Sequence, residues 1–296
     1  MPSEVFVGLT ENKYLKIFDK GAVFDETDYI KYTQKGIDKL YVLNLTTSQF
    51  IEKINDAIIK VMNEIEPENK LESGIHVLKV ISSTFKDYGF NEALLPAIEI
   101  NLKEALDMCK SEKTVALLLD KLLKLKDCYI GQHSFLMAAV TIALAEKLEW
   151  TSAQTAQKLV ISSLFHDIFL KESITNELGM MTGKISDENF LTHPQKAADL
   201  LDKMPRIPPD TSRIILEHHE QGEEIGFPRA IDISKTTPLS QLFTFSHYLV
   251  DVLLEMHEHG SFEIEAFYAR MQTISKKSSK YEKLFTVLKE AELFKA

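Results

Sequence analysis

The sequence predicts a mainly α-helical protein that begins with a small α/β domain. Strand-like alternation is confined to residues 1–46, and from Thr47 almost to the end apolar residues recur at helical three- and four-residue intervals. With 45% hydrophobic and 26% charged residues over 296 positions, the chain has the apolar material for ordinary folded cores and is not a disordered protein.

Taken in order, "EVFVGL" and "KYLKIF" alternate like half-buried strands, and "KLYVLN" returns as a third. Between them "DETDYIKYTQKG" reads as a short helix with a polar N-cap near Asp25 and Gly36 as its stop. Apolar residues at 50, 51, 54, 58, 61 and 62 then mark one face of a longer helix. "EPEN" at 66–69 breaks it before a connecting helix pair that extends to about residue 113. The rest, residues 114–296, is read as a helical bundle. One helix runs from about Gln132 to Leu148. A second begins after a capping box at Thr151 and Gln154 and reaches Phe169. A third runs from Pro209–Asp210 to Gly222, and a fourth opens at Pro238, capped by Thr237, and continues through His257.

Charge and cysteine usage narrow the function. A net charge of -10 argues against a DNA-binding or anionic-membrane surface. Only Arg206, Arg213, Arg229 and Arg270 carry guanidinium groups, so a phosphate grip must lean on metal, lysine or backbone N–H groups. Cys109 and Cys128 are too few for a disulfide framework. No signal peptide is evident, and the longest apolar run, Phe135 to Ala145, is far short of a membrane span. These features predict a cytoplasmic protein.

The chemistry lies in the histidines. Taken singly, His133, His193 and His247 read as core or surface residues, and His166–Asp167 is as readily a chance dipeptide. The adjacent pair His218–His219 is harder to dismiss, because neighbouring side chains inside a helix diverge by about 100°. Six imidazoles and one carboxylate exceed what one tetrahedral ion uses, and the donor set suits Fe(II), Mn(II) or Zn(II) better than Mg(II) or Ca(II). They suffice for two ions, with Asp167 between. His76, His257 and His259 fall outside the pattern.

The strings "QHSFLMAAV", "SLFHDI", "THPQKAADLL" and "ILEHHEQGEEIGFPRAI" resemble the successive motifs of the HD-GYP family, in order, over roughly residues 120 to 260. The resemblance implies an HD-type helical bundle with cyclic di-GMP phosphodiesterase activity through a binuclear metal centre and a bridging hydroxide. It implies that His133, His166, Asp167, His193, His218 and His219 are metal ligands and that Gly226, Phe227 and Pro228 stand near the substrate, with Arg229 and Lys171 beside them. Asp167 is then the catalytic carboxylate, the cofactors are two divalent transition-metal ions, iron ahead of manganese, and the N-terminal domain is a sensory or protein-interaction module.

Departures from the family pattern bear on activity. Phe227 replaces the signature tyrosine and has no hydroxyl to donate. Ile168, Phe169 and Leu170 follow "HD" where the family has Ile-Gly-Lys, and the nearest lysine is Lys171. Ala197, Gln221 and Glu223–Glu224 also differ, and Tyr129 stands where three-metal members carry a glutamate. His247 occupies the position of the family's last aspartate ligand; it is expected to be a ligand, with Asp251 one turn later to orient it. With one carboxylate in the shell, two M(II) ions and a hydroxide would leave about two positive charges on the site. Four readings stand: a phosphodiesterase, a degenerate unit that binds metal and cyclic dinucleotide without turnover, another HD hydrolase acting on nucleotides, and a purely structural bundle.

Overall fold

A computed structural model describes residues 3–10, 13–23, 26–37, 39–42, 45–111, 115–125, 129–170, 188–221, 226–260, 262–291 and 293. Among them are twelve α-helices and one three-stranded antiparallel sheet. The chain divides into two compact units, residues 1–57 and 58–296.

In the first unit β1 (Val5–Thr10) lies between β2 (Lys13–Phe18) and β3 (Tyr41–Val42). Val5 and Val7 are buried on β1, as alternation predicts. The edge strand β2 instead exposes Lys13 through Lys16 on both faces. Helix α1 (Glu26–Gln34) ends where Gly36 takes a positive φ of 70° and Ile37 N–H returns to Tyr32 O at 3.1 Å, the stop expected at that glycine. The expected cap at Asp25 lies outside the described residues.

Helix α2 (Thr47–Glu64) starts from a reciprocal box: Thr46 Oγ1 accepts from Gln49 N–H and Gln49 Oε1 accepts from Thr46 N–H. The break at 66–69 is a short 3-10 turn, Pro67–Asn69. Then come α3 (Lys70–Tyr88), α4 (Leu95–Ser111), α5 (Val115–Leu122) and α6 (Tyr129–Lys147). Helix α7 (Ala153–Phe165) is followed by α8 (Glu188–Leu201), α9 (Thr211–Glu217), α10 (Pro238–Glu258), α11 (Ile264–Ser275) and α12 (Ser279–Ala291). No helix among the described residues is long and apolar enough to cross a membrane.

Four local expectations are corrected. The cap of α7 is Ser152, not Thr151: Ser152 is extended and its Oγ accepts from Thr155 N–H. That helix stops at Phe165, so His166 and Asp167 stand in the turn after it. Pro194 sits inside α8 and does not begin it. Helix α9 ends at Glu217, five residues before the expected Gly222, and this frees His218 and His219 from the helical 100° divergence. Their rings lie 4.1 Å apart.

Helix α6 is buried on nearly every side from Ile130 to Ala145, which suits a helix that is apolar all round. Helices α3, α4, α5, α7, α10 and α12 pack against it. Glycines allow α3 and α6 to approach closely. Gly74 on α3 faces the Phe135 ring, and a methyl group on Gly131 of α6 would run into Ile75, which is fully buried. Helix α3 also braces the turn after Asp167: Ser82 Oγ donates to Ile168 O and Lys86 Nζ to Leu170 O, both at 2.6 Å.

Gly131→Ala is therefore expected to destabilise the protein. Overpacking costs about 1–3 kcal/mol, set against up to ~1 kcal/mol of helix propensity that alanine returns. A denaturant midpoint equal to or above that of the wild type would contradict this close α3–α6 crossing.

Candidate metal centre

Five elements bring the predicted histidines together. His133 comes from α6, His166 and Asp167 from the end of α7, His193 from α8, His218 and His219 from the end of α9, and His247 from α10. His133, His166, His193, His218 and His247 are buried, and Asp167 is 5% exposed.

Three of the rings are oriented by the backbone in one way. The Nδ1 atoms of His166, His193 and His218 each meet the carbonyl oxygen three residues earlier, on Ser163, Phe190 and Ile215. A carbonyl only accepts, so each Nδ1 carries a proton, and Nε2 is the nitrogen whose lone pair a cation can take. These carbonyls lie where the helix ladder is interrupted, and Ile215 O takes the His218 N–H at 3.3 Å as well. Helices α7 and α9 end at Phe165 and Glu217, leaving Ser163 and Ile215 in final turns. Phe190 O would normally receive the N–H of residue 194, but Pro194 has none.

Those Nε2 atoms converge. His193 and His218 bring theirs to 3.2 Å, and His166 approaches His133 Nε2 at 3.1 Å. Asp167 stands between the pairs. Its Oδ2 lies 3.3 Å from His166 Nε2 and 3.8 Å from His133 Nε2; its Oδ1 lies 3.2 Å from His193 Nε2 and 3.7 Å from His218 Nε2. His247 directs Nδ1 to Asp251 Oδ2 at 3.0 Å, and its Nε2 has no hydrogen-bond partner. Asp167 Oδ1 likewise accepts no well-aligned hydrogen bond.

These atoms fit cations. A proton would satisfy one imidazole pair, but Asp167 Oδ1 and His247 Nε2 would remain buried and unpaired at a cost of about 1–3 kcal/mol each. Metal ions use lone pairs in this converging arrangement. His133, His166, Asp167 and His247 form one group of candidate ligand atoms, and Asp167, His218, His219 and His247 form another. His193 joins through its approach to His218 and Asp167.

The electrostatics agree. Burial lowers His133, His218 and His247 to a pKa of about 3 and puts His219 well below its usual range, so these rings are neutral and able to donate a lone pair. Burial opposes charge on Asp167, but the facing imidazoles, His166 first, outweigh it and hold its carboxyl well below the usual range. For His166 burial is likewise outweighed, by Asp167, and its pKa rises. Burial raises Asp251 to about 6.

Beside the centre runs the segment Gly226, Phe227, Pro228 and Arg229. Phe227 stacks on His219, with centroids 4.5 Å apart at 20°, and touches the Phe190 ring. The segment is latched by two buried carboxylates that sequence reading did not single out. Glu220 accepts the N–H groups of Arg229 and Ile231, and Glu217 accepts from Arg213, Arg229 and Thr237. The available signal was "EHHE": acids flanking the histidine pair, each with under 2% exposure in the fold. Arg229 donates Nε to Glu220 and Nη2 to Glu217, with its side chain 38% exposed. Leu170 is buried with Ile130 and Phe190, and Phe227 packs against them. Lys171 and residues 222–225 lie outside the described residues. Tyr129 lies nearly parallel to His133, while His257 stacks on Phe262 and His76 is exposed beside Glu72.

The HD domain family matches residues 130–276. The cyclic di-GMP phosphodiesterase PA4108 of Pseudomonas aeruginosa is 28% identical over 151 residues, 50% of this chain, and the chain covers 36% of that relative's length. The solved structure of Bd1817, an HDG"Y"P protein from Bdellovibrio bacteriovorus, superimposes with a TM-score of 0.54 over 97% of this chain and 94% of that one, at 15% identity. This last likeness concerns the fold.

The neutral imidazoles make the metal-free protein acid-sensitive. An unfolded chain protonates His133, His218 and His247 near 6.5, whereas the folded chain resists down to about 3, so these groups lose stability as pH falls through that window. Asp251 acts oppositely between 3.8 and about 6, one group against three. Asp167 adds no slope above 3.8, and His166 adds none below 6.5. The denaturant midpoint of chelated protein should fall steadily from about pH 6.5 to about pH 4. A flat or rising midpoint would contradict this burial pattern.

Proposed function

We propose, from the match of residues 130–276 to the HD domain family and the similarity to a cyclic di-GMP phosphodiesterase, that this chain is an HD-GYP-type metal-dependent phosphodiesterase acting on cyclic di-GMP at a binuclear centre. The observation that carries the reading is Asp167, one carboxylate that offers each of its oxygens to a different pair of imidazoles. His133, His166 and Asp167 Oδ2 would hold one divalent ion and His193, His218, His219 and Asp167 Oδ1 the other, with His247 donating between them. Iron is expected ahead of manganese. Ions so held supply Lewis acidity toward a phosphate and a water acidic enough to attack near neutral pH.

The chain's own groups do the rest. Asp167, kept ionised, links the two halves and supplies the negative charge among the six imidazoles. The Gly226–Arg229 segment forms the substrate side. Phe227 gives an apolar ring over His219, and Arg229 brings a guanidinium whose Nε and Nη2 are engaged by Glu220 and Glu217. Lys171 is proposed to add a second cation for the phosphate.

One specific observation favours a second reading, a unit that binds metal and cyclic dinucleotide without turnover. Leu170 is buried in an apolar cluster with Ile130, Phe190 and Phe227, so neither an ammonium at 170 nor a hydroxyl at 227 reaches a phosphate.

Incubation of metal-loaded protein with cyclic di-GMP under anaerobic Fe(II) or Mn(II) separates the two. The phosphodiesterase reading expects linear dinucleotide or GMP, and binding without product would move the assignment to the second. Asp167→Ala should abolish product and metal retention together. Phe227→Tyr should retain metal and raise the rate by about tenfold, the worth of one hydrogen bond in the transition state. No gain would show that the missing hydroxyl is not what limits turnover.

A further inference from the structure

The carboxylate of Asp251 has two imidazole neighbours, not one. Its Oδ2 is 3.0 Å from His247 Nδ1 on its own helix, and its Oδ1 is 3.4 Å from His133 Nδ1 on α6. Neither histidine has the carbonyl contact that orients His166, His193 and His218; His133 Nδ1 makes no aligned hydrogen bond, and Asp251 Oδ1 at 3.4 Å is the acceptor that approaches it. Both rings direct Nε2 the opposite way, into the cluster. His133 Nε2 meets His166 Nε2, and His247 Nε2 is unpartnered. The His133 and His247 rings lie edge to face with centroids 4.8 Å apart, spanned by this one side chain. His247 also lies 5.2 Å from His166, 5.3 Å from His218 and 5.1 Å from His219, so a small rotation would change which of these Nε2 faces.

We propose that Asp251 is a positioning residue that fixes the Nδ1–H tautomer of His133 and His247 together, so that one carboxylate aims a ligand from each of two helices. The proposal rests on the metal-centre reading. Its chemistry follows from acceptor count: a carboxylate has two oxygens, both acceptors, and takes an Nδ1–H on each. An amide of the same shape has one acceptor and one donor. Its oxygen keeps one imidazole in place, while its N–H faces the other ring and demands a bare Nδ1. That ring then carries its proton on Nε2 and has no lone pair for a metal. Loss of a partner that orients a ligand typically weakens metal binding by about 10–100-fold.

The test uses the full chain with ¹⁵N-labelled histidine, metal-free for spectra and titrated with Co(II) or Zn(II) against a chromophoric chelator. In the wild type, His133 and His247 should both carry the proton on Nδ1. In Asp251→Asn one of them should show it on Nε2, and metal should bind about 10–100-fold more weakly, at one ion if His133 is the ring that turns over and at both if it is His247. A wild-type spectrum with the proton on Nε2 of either ring overturns the proposal, and this arm holds even if the variant does not fold. So does Asp251→Asn protein with both tautomers unchanged or metal binding within about twofold of wild type. Wild-type protein that takes up no metal, with both rings protonated on Nδ1, would sink the metal-centre reading and leave the tautomer assignment standing.

Discussion

A neutral imidazole has one lone pair to give, and the group that takes the proton on one nitrogen decides where the other nitrogen's lone pair points. The centre of this protein is built on that constraint. Backbone carbonyls hold Nδ1 of His166, His193 and His218, and Asp251 holds His247. The bare Nε2 atoms are therefore directed into a common space where buried lone pairs repel unless a cation lies among them. Among the described residues Asp167 alone supplies negative charge within that space, and its two oxygens divide the imidazoles into two sets.

The carbonyls stand beside features that look like defects of helical structure. A helix that stops at Phe165, another at Glu217 and a proline within α8 each interrupt the ladder close to a ligand. Regular helices would satisfy their own carbonyls and leave each imidazole to find another partner. Around this, α3 caps the carbonyls of Ile168 and Leu170, and the Glu217 and Glu220 carboxylates, flanking the histidine pair in sequence, hold Arg229 and Ile231. Charged groups thus appear on the scaffold of the centre, while Leu170, Phe190 and Phe227 make its immediate wall apolar.

Much of this was legible in the sequence. Helical periodicity gave α6 and α10 to within a few residues, and motif order named the histidines that the fold brings together. Helix ends were less visible, because Asp210 and Gly222 suggested a longer α9 while the chain turns at Glu217 to bring His218 and His219 side by side. Pro194 suggested a helix start, since a proline costs least there; its tolerance inside α8 depends on a side-chain donor that no local pattern announces. Glu217 and Glu220 were not singled out, because it is tertiary contacts with residues 229–237 that bury them. The second role of Asp251 is likewise tertiary, since His133 lies on a different helix.

The most direct measurement is anomalous diffraction from crystals grown with Fe(II) or Mn(II), recorded at the absorption edge of the metal supplied. The account predicts two peaks, one beside the His133 and His166 Nε2 atoms and one beside those of His193 and His218, with Asp167 between them. Electron density for these imidazoles and the aspartate without an anomalous peak at either place would contradict it.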